Sequence, residues 1–140
     1  MSNQKLESLS AILPLVGRIA LASLFIPSGF AKLSTPDATI AFIASVGLPF
    51  APLGLFIAVT VEIGFSALLV LGLFTRPVAA VMAAFTLATA IFFHAGWGDQ
   101  NQFVHFFKNI AITGGFLQIA AFGAGRFSLD ARHAARAAKS

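Results

Sequence analysis

From Ala51 to Phe74 the chain reads APLGLFIAVTVEIGFSALLVLGLF, an apolar block broken by one charge, Glu62. Thr75-Arg76-Pro77 follows at once, and a second apolar block begins. A helix that crosses a bilayer needs about 20 mainly apolar residues rising 1.5 Å each, so the first block is long enough to span. The connection is so short that the next helix must be its antiparallel neighbour, with Pro77 suited to a first helical turn.

Four such blocks lie along the chain, at about residues 10–31, 51–74, 77–95 and 104–122. They predict an all-α fold, an integral membrane four-helix bundle that fills residues 1–140 as one domain. Composition agrees: 58% of the 140 residues are apolar and 10% are charged, where a soluble domain devotes about a quarter to Asp, Glu, Lys and Arg. The mean hydropathy is +0.89. Cysteine is absent, which excludes disulfides, Cys-ligated zinc, Fe–S clusters and an intrinsic dithiol relay.

The connections carry their own signals. Residues 32–50 contain Thr35-Pro36-Asp37, which reads as an N-cap, a first-turn proline and an acid at the positive end of a helix. Ile40, Ile43 and Val46 then share a face until Gly47 and Pro49 end the run. A short amphipathic helix at the membrane interface is expected between the first two spans; an irregular loop with a chance apolar stripe is the alternative. Residues 96–102 form a polar loop with two glycines.

Lys5, Arg76, Arg126, Arg132, Arg136 and Lys139 lie on the side shared by both termini, against Lys32 alone in the opposite loops. Both termini are therefore expected in the cytoplasm, and residues 126–140 form a basic cytoplasmic tail. The net charge of +4 is explained by topology and by attraction to anionic lipid; the lipid bilayer is the partner and nucleic acid is not. The first apolar block is too long for a cleaved signal and is expected to be retained.

Charges inside the spans are costly, about 2.5 to 3.5 kcal/mol each at the midplane, and mark interior contacts. Residue counts place Arg18 about 12 Å above the cytoplasmic start of the first helix and Glu62 about 16 Å below the outer start of the second. At nearly one depth, the two are expected to pair. Such a pair either sets helix register or serves function; alternatively Glu62 is neutral and bonded to Thr60 or Ser66. Gly54, Ala58, Glu62 and Ser66 recur every four residues as a small-residue packing stripe. Thr86, Ala90 and His94 on the third helix and Lys108, Ala111, Gly115 and Gln118 on the fourth continue it.

A second polar level lies near the outer boundary: Lys32, His94, Lys108 and Asn109, with His105 beside them. It reads as a cationic vestibule for an anion, a quinone headgroup or an acidic partner. The alternative is snorkelling of lysines to interfacial water. No His-x-x-x-His pair or carboxylate cluster supports a metal site. Phe92, Phe93, Trp97, Phe103, Phe106 and Phe107 read as an interfacial aromatic belt or the walls of an apolar slot. Pro27 should kink the first helix. Walker loops, nucleophile elbows and dinucleotide fingerprints are lacking.

The ordered set Arg18, Leu24-Phe25-Ile26-Pro27-Ser28-Gly29-Phe30-Ala31-Lys32, Val61-Glu62-Ile63-Gly64, Leu71-Gly72-Leu73-Phe74-Thr75-Arg76, His94 and Lys108-Asn109 resembles the DoxX family. The ending Gly123-Ala124-Gly125-Arg126-Phe127-Ser128-Leu129-Asp130 resembles that family's usual close. The resemblance implies a four-helix bacterial inner-membrane protein. Some relatives serve quinone-linked oxidation of sulfur compounds or oxidative-stress complexes, and others have no assigned chemistry, so it implies architecture better than activity. With no intrinsic cofactor, redox chemistry would need a bound quinone or a redox partner subunit.

Three functions compete. The leading one is an accessory subunit of a redox process, with Arg18 and Glu62 as its polar interior and Lys32, His94, Lys108 and Asn109 shaping a ligand site. Binding and proton exchange would be its mechanism, and catalytic activity is left open. The second is a non-enzymatic scaffold or assembly factor. The third is a small transporter, for which so few short helices leave little room unless the chain forms a homo-oligomer.

Overall fold

A computed structural model describes residues 3–139. Helix α1 (Asn3–Ser34) runs unbroken through Pro14 and Pro27, and α2 (Pro36–Ser45) follows after a single residue. The next rod is composite: α3 (Ala51–Val59) opens into a wider π-helical segment, Thr60–Phe65, and closes again as α4 (Ser66–Leu71). Then come α5 (Thr75–Phe93), α6 (Gln100–Phe122) and α7 (Leu129–Ala137).

Three of these helical stretches are long and apolar enough to cross a membrane: Lys5–Ser34, Ala51–Leu71 and Thr75–Phe93. The fourth long helix, α6, carries Gln100, Asn101, Gln102, His105, Lys108 and Asn109 in its first half. Much of the apolar surface faces outward; Leu13, Val16, Ile19, Phe56 and Leu117 are all exposed. In water that surface would be a liability, whereas lipid chains cover it without penalty.

Local chemistry sets the ends. Gly72 (φ 66°) and Gly123 (φ 85°) terminate α4 and α6 in conformations that a Cβ would strain. The Asp99 side chain accepts the Gln102 N–H and caps α6, and the Ser128 hydroxyl does the same for α7 through Ala131. Pro36 opens α2 as expected, but the Thr35 hydroxyl donates back to the Ala31 carbonyl instead of capping. Both the end of α1 and the start of α2 draw on that one residue.

The core is small. Phe25, Val61, Leu69, Val78, Ala79, Met82, Ala83 and Phe116 form it, with α5 packed along α6 and α1 antiparallel to the composite rod. Gly54, Ala58, Glu62 and Ser66 do lie on the packed side of their rod. On α6 the packed side is different from the one the small residues marked: Thr113 and Phe116 are buried while Ala111 and Gln118 are exposed. A large ring, Phe116, fills the space that close approach of small residues would have removed, lying 5.4 Å from the Phe25 ring.

Candidate functional site

Glu62 lies in the π-helical segment, buried, with both carboxylate oxygens turned toward α1. There the Lys32 ammonium donates to Oε1 at 2.9 Å and Oε2 at 3.0 Å, and to the Ser28 hydroxyl at 2.9 Å. Ser28 and Lys32 are one helical turn apart on α1, so one helix supplies both the cation and its second acceptor. Gly29 makes the approach possible, because a Cβ there would stand 2.5 Å from Ile63 Cγ1 and 3.1 Å from Glu62 Cβ. A π-turn interrupts the regular helical ladder, and such turns are frequent at functional sites.

The expected Arg18–Glu62 pair does not form. Level with Glu62 stands Gly29, and Arg18 lies eleven residues lower on α1, about 16 Å along the axis. The physical reason is the offset between the helices: Lys32, near the end of α1, reaches not the start of α3 but Glu62, eleven residues further along the rod than Ala51. Nor does Glu62 turn to Ser66, whose hydroxyl is buried without a hydrogen-bond partner among the described residues.

Arg18 instead holds the opposite end together. Fully buried, it donates through Nη1 to the carbonyls of Leu69 (2.9 Å) and Val70 (2.8 Å) and through Nη2 to that of Phe127. The first two are last-turn carbonyls of α4, where a cation is favoured. Asp130 performs the complementary task at the start of α5, its oxygens accepting the N–H groups of Phe74 and Thr75 at 2.9 Å. Burial alone would raise the Asp130 pKa. The Thr75 hydroxyl beside it, the two N–H groups and nearby His133 outweigh that and hold it below its usual value.

Phe25, which packs on Phe116, also lines a cavity of about 420 Å³ between the helices. Lys32, Glu62, His94, Lys108 and Asn109 all line it; Arg18 does not. Phe25, Phe42, Ile43, Ala58, Phe85 and Phe93 supply apolar wall, and α2 lies across it through Thr39, Phe42 and Ile43.

The polar lining is ordered. His94 Nδ1 lies 2.9 Å from Gln102 Oε1, and since an amide oxygen only accepts, the ring nitrogen is the donor in this pair. Lys108 donates to His105 Nδ1 at 2.9 Å, and the two histidine rings stand 5.2 Å apart. Asn109 reaches the Thr89 hydroxyl at 3.4 Å. Ser28, Gly29, Thr89 and Gln102 had not been singled out as site residues. The one-turn spacing of Ser28 to Lys32 was a usable signal, but nothing local marks the other three.

The sequence signature described as DoxX matches residues 13–95. The chain belongs to the DoxX family. It is similar to the inner membrane protein YphA of Escherichia coli strain K12, 41% identical over 126 residues, which cover 86% of this chain and 90% of that protein. It is also similar to the inner membrane protein YqjF of the same strain, 35% identical over 127 residues, 91% of this chain and 94% of the relative. No solved structure matches. Within the DoxX match fall Arg18, Lys32, Glu62 and His94, while Lys108 and Asn109 lie on α6 beyond it.

Proposed function

We propose that this DoxX protein is a four-span bundle of the bacterial inner membrane, with both termini cytoplasmic, whose cavity holds a lipid-borne ligand with a hydrogen-bonding head. A quinone is the class that suits it best, and the role is that of an accessory subunit in a redox process. The observation that carries this reading is the cavity: it gathers a lysine–glutamate pair from α1 and the composite rod, a histidine from the end of α5, and a lysine and an amide from α6 into an otherwise apolar space. Pockets for small hydrophobic ligands have this character, apolar walls with a few convergent polar groups.

Supporting details fall into place. Leu24, Ile57 and Phe92 line the cavity and are also exposed on the outer surface, so the space reaches the side that lipid covers. As the fourth span, α6 turns Lys108 and Asn109 toward the cavity, where polar groups are tolerated inside a membrane. At the interface, α2 leaves Pro36 and Asp37 exposed and buries Ile43. The relatives' names support the location, and the basic residues near the termini support the orientation.

Quinone oxygens are acceptors, and Lys108 and Asn109 are donors, while Lys32 spends its three N–H groups on Glu62 and Ser28; the phenylalanine walls suit a ring and tail. The redox capacity would come with the quinone or a partner subunit, and this chain's residues would bind and orient it. Equilibrium binding of a short-tailed ubiquinone analogue to protein in nanodiscs tests the reading. Glu62→Gln and Lys108→Ala are expected to weaken binding about tenfold, a cost of about 1.4 kcal/mol, with Arg136→Ala as the unaffected control. Unchanged binding in both cavity variants would sink it. Arg18 favours a second reading, a scaffold, since its bonds serve only the chain's own carbonyls.

A further inference from the structure

The end that carries both termini is strongly basic. Lys5, Arg76, Arg126, Arg132, Arg136 and Lys139 stand there with only Glu7 and Asp130 of opposite sign. Both Asp130 oxygens are already occupied by backbone N–H groups, and the one ion pair among the described residues is Lys32–Glu62, at the other level. Among the described residues these cations therefore have no carboxylate ion-pair partner.

Helix α7 raises a second question, because it is amphipathic yet contains no buried residue. Its place is nevertheless set. The Asp130 N–H donates to the Gly72 carbonyl at 2.9 Å, its carboxylate caps α5, and Arg18 holds the Phe127 carbonyl. A helix with no core of its own is thus clamped to the foot of the α4–α5 hairpin, presenting Arg132, His133, Arg136 and Lys139 outward. Beside it three rings face outward at the span ends: Phe74 is 66% exposed, Phe122 78% and Phe127 50%.

Rings at the ends of spans, flanked by arginines on a surface helix, fit one kind of partner. We propose that Arg76, Arg126, Arg132 and Arg136, together with Phe74, Phe122 and Phe127, form a collar that binds anionic phospholipid headgroups, with α7 lying in the interface. The rings enter the acyl boundary while the guanidinium groups meet phosphates as charge-assisted, bidentate donors. A soluble polyanion would satisfy the arginines but leave the rings in water, which is why lipid is the better partner. This inference is independent of what fills the cavity.

The absence of cysteine makes the test direct. Ala135→Cys places a single environment-sensitive fluorophore on an exposed position of α7. The protein is compared in nanodiscs of phosphatidylcholine alone and of phosphatidylcholine mixed with phosphatidylglycerol. Emission is expected to shift to the blue and quenching by neutral acrylamide to fall about twofold or more in the anionic discs, an effect that high salt reverses by screening. In an R132Q/R136Q variant whose helical circular dichroism is unchanged, the two disc types should give the same signal. Identical emission in both discs would overturn the proposal. So would a phosphatidylglycerol response that survives in the variant, or an equal response to a soluble polyanion in neutral discs.

Discussion

The Lys32 ammonium stands 2.9 Å from one carboxylate oxygen of Glu62 and 3.0 Å from the other, joining α1 to the π-helical segment of the composite rod. Breaking one side of a buried pair leaves an uncompensated charge, at a cost of about 3 to 5 kcal/mol. Because the Lys32 side chain is 27% exposed, the lower end of that range is expected. Thermal unfolding in detergent should show losses of about 3 kcal/mol for Lys32→Met or Glu62→Met and much of it regained in the double variant. The same cycle between Arg18 and Glu62 should give additive losses, as expected of groups about 16 Å apart.

Arg18→Met removes the guanidinium from three carbonyls at once: Leu69 keeps the Gly72 N–H, while Val70 and Phe127 lose the Arg18 donor. Each buried acceptor left without a donor costs about 1 to 3 kcal/mol, so this is the most destabilising single change expected in the chain. Arg18→Lys keeps the charge but loses the planar fork and should fall between the two. The check is thermal unfolding together with proteolysis of the tail, which should be cut faster in Arg18→Met because Phe127 is no longer held.

Gly29→Ala forces a methyl to within 2.5 Å of Ile63 Cγ1 and 3.1 Å of Glu62 Cβ. Overpacking of this kind costs about 1 to 3 kcal/mol. The expected signature is a double one: lower stability, and ligand affinity reduced as in the Glu62 variants, since the rod carrying Glu62 is pushed from Lys32. Gly64→Ala, where a Cβ meets nothing within 4 Å, should change neither.

Asp130 makes the foot of the bundle sensitive to acid. Its pKa is lowered on folding, so the unfolded chain binds its proton more readily than the folded one, and stability falls as protons are added. The contribution is full above the ordinary aspartate value of 3.8 and is lost as pH drops through the lowered folded value. Melting temperature measured from neutral to acidic pH should fall in that window. In Asp130→Asn that component should be missing, and stability at neutral pH should already be lower by about 1 kcal/mol, the usual worth of a cap.

Much of the fold was legible because membrane solubility is written in the length and apolarity of helical blocks, and because Pro36 acts on its immediate neighbours; the ends set by Gly72 and Asp99 fall at Leu71 and Gln100, where the apolar blocks alone put them at residues 74 and 104. The helix over residues 36–45 could be read from Pro36 and its apolar stripe, while the reuse of the Thr35 hydroxyl by Ala31 could not, since both helix ends compete for it. Five of the six polar residues marked in the sequence, Lys32, Glu62, His94, Lys108 and Asn109, line one cavity; the sixth, Arg18, serves the other end. Rarity identified them, because a charge within an apolar block stands out.

Partnership was another matter. By itself the sequence determined that the chain is helical and built for a bilayer, that its basic residues cluster beside its termini, and that a handful of interior polar groups must find internal partners, since hydrocarbon offers none. Which partner each one found depended on the relative heights of α1 and the composite rod, and that offset is decided by packing: Gly29 seated against Ile63, Phe25 against Phe116, and the π-helical segment that carries Glu62. A shift of a few residues in that offset would change the partner of both Arg18 and Glu62. No local pattern encodes it, because it is the sum of many side-chain contacts made between segments far apart along the chain.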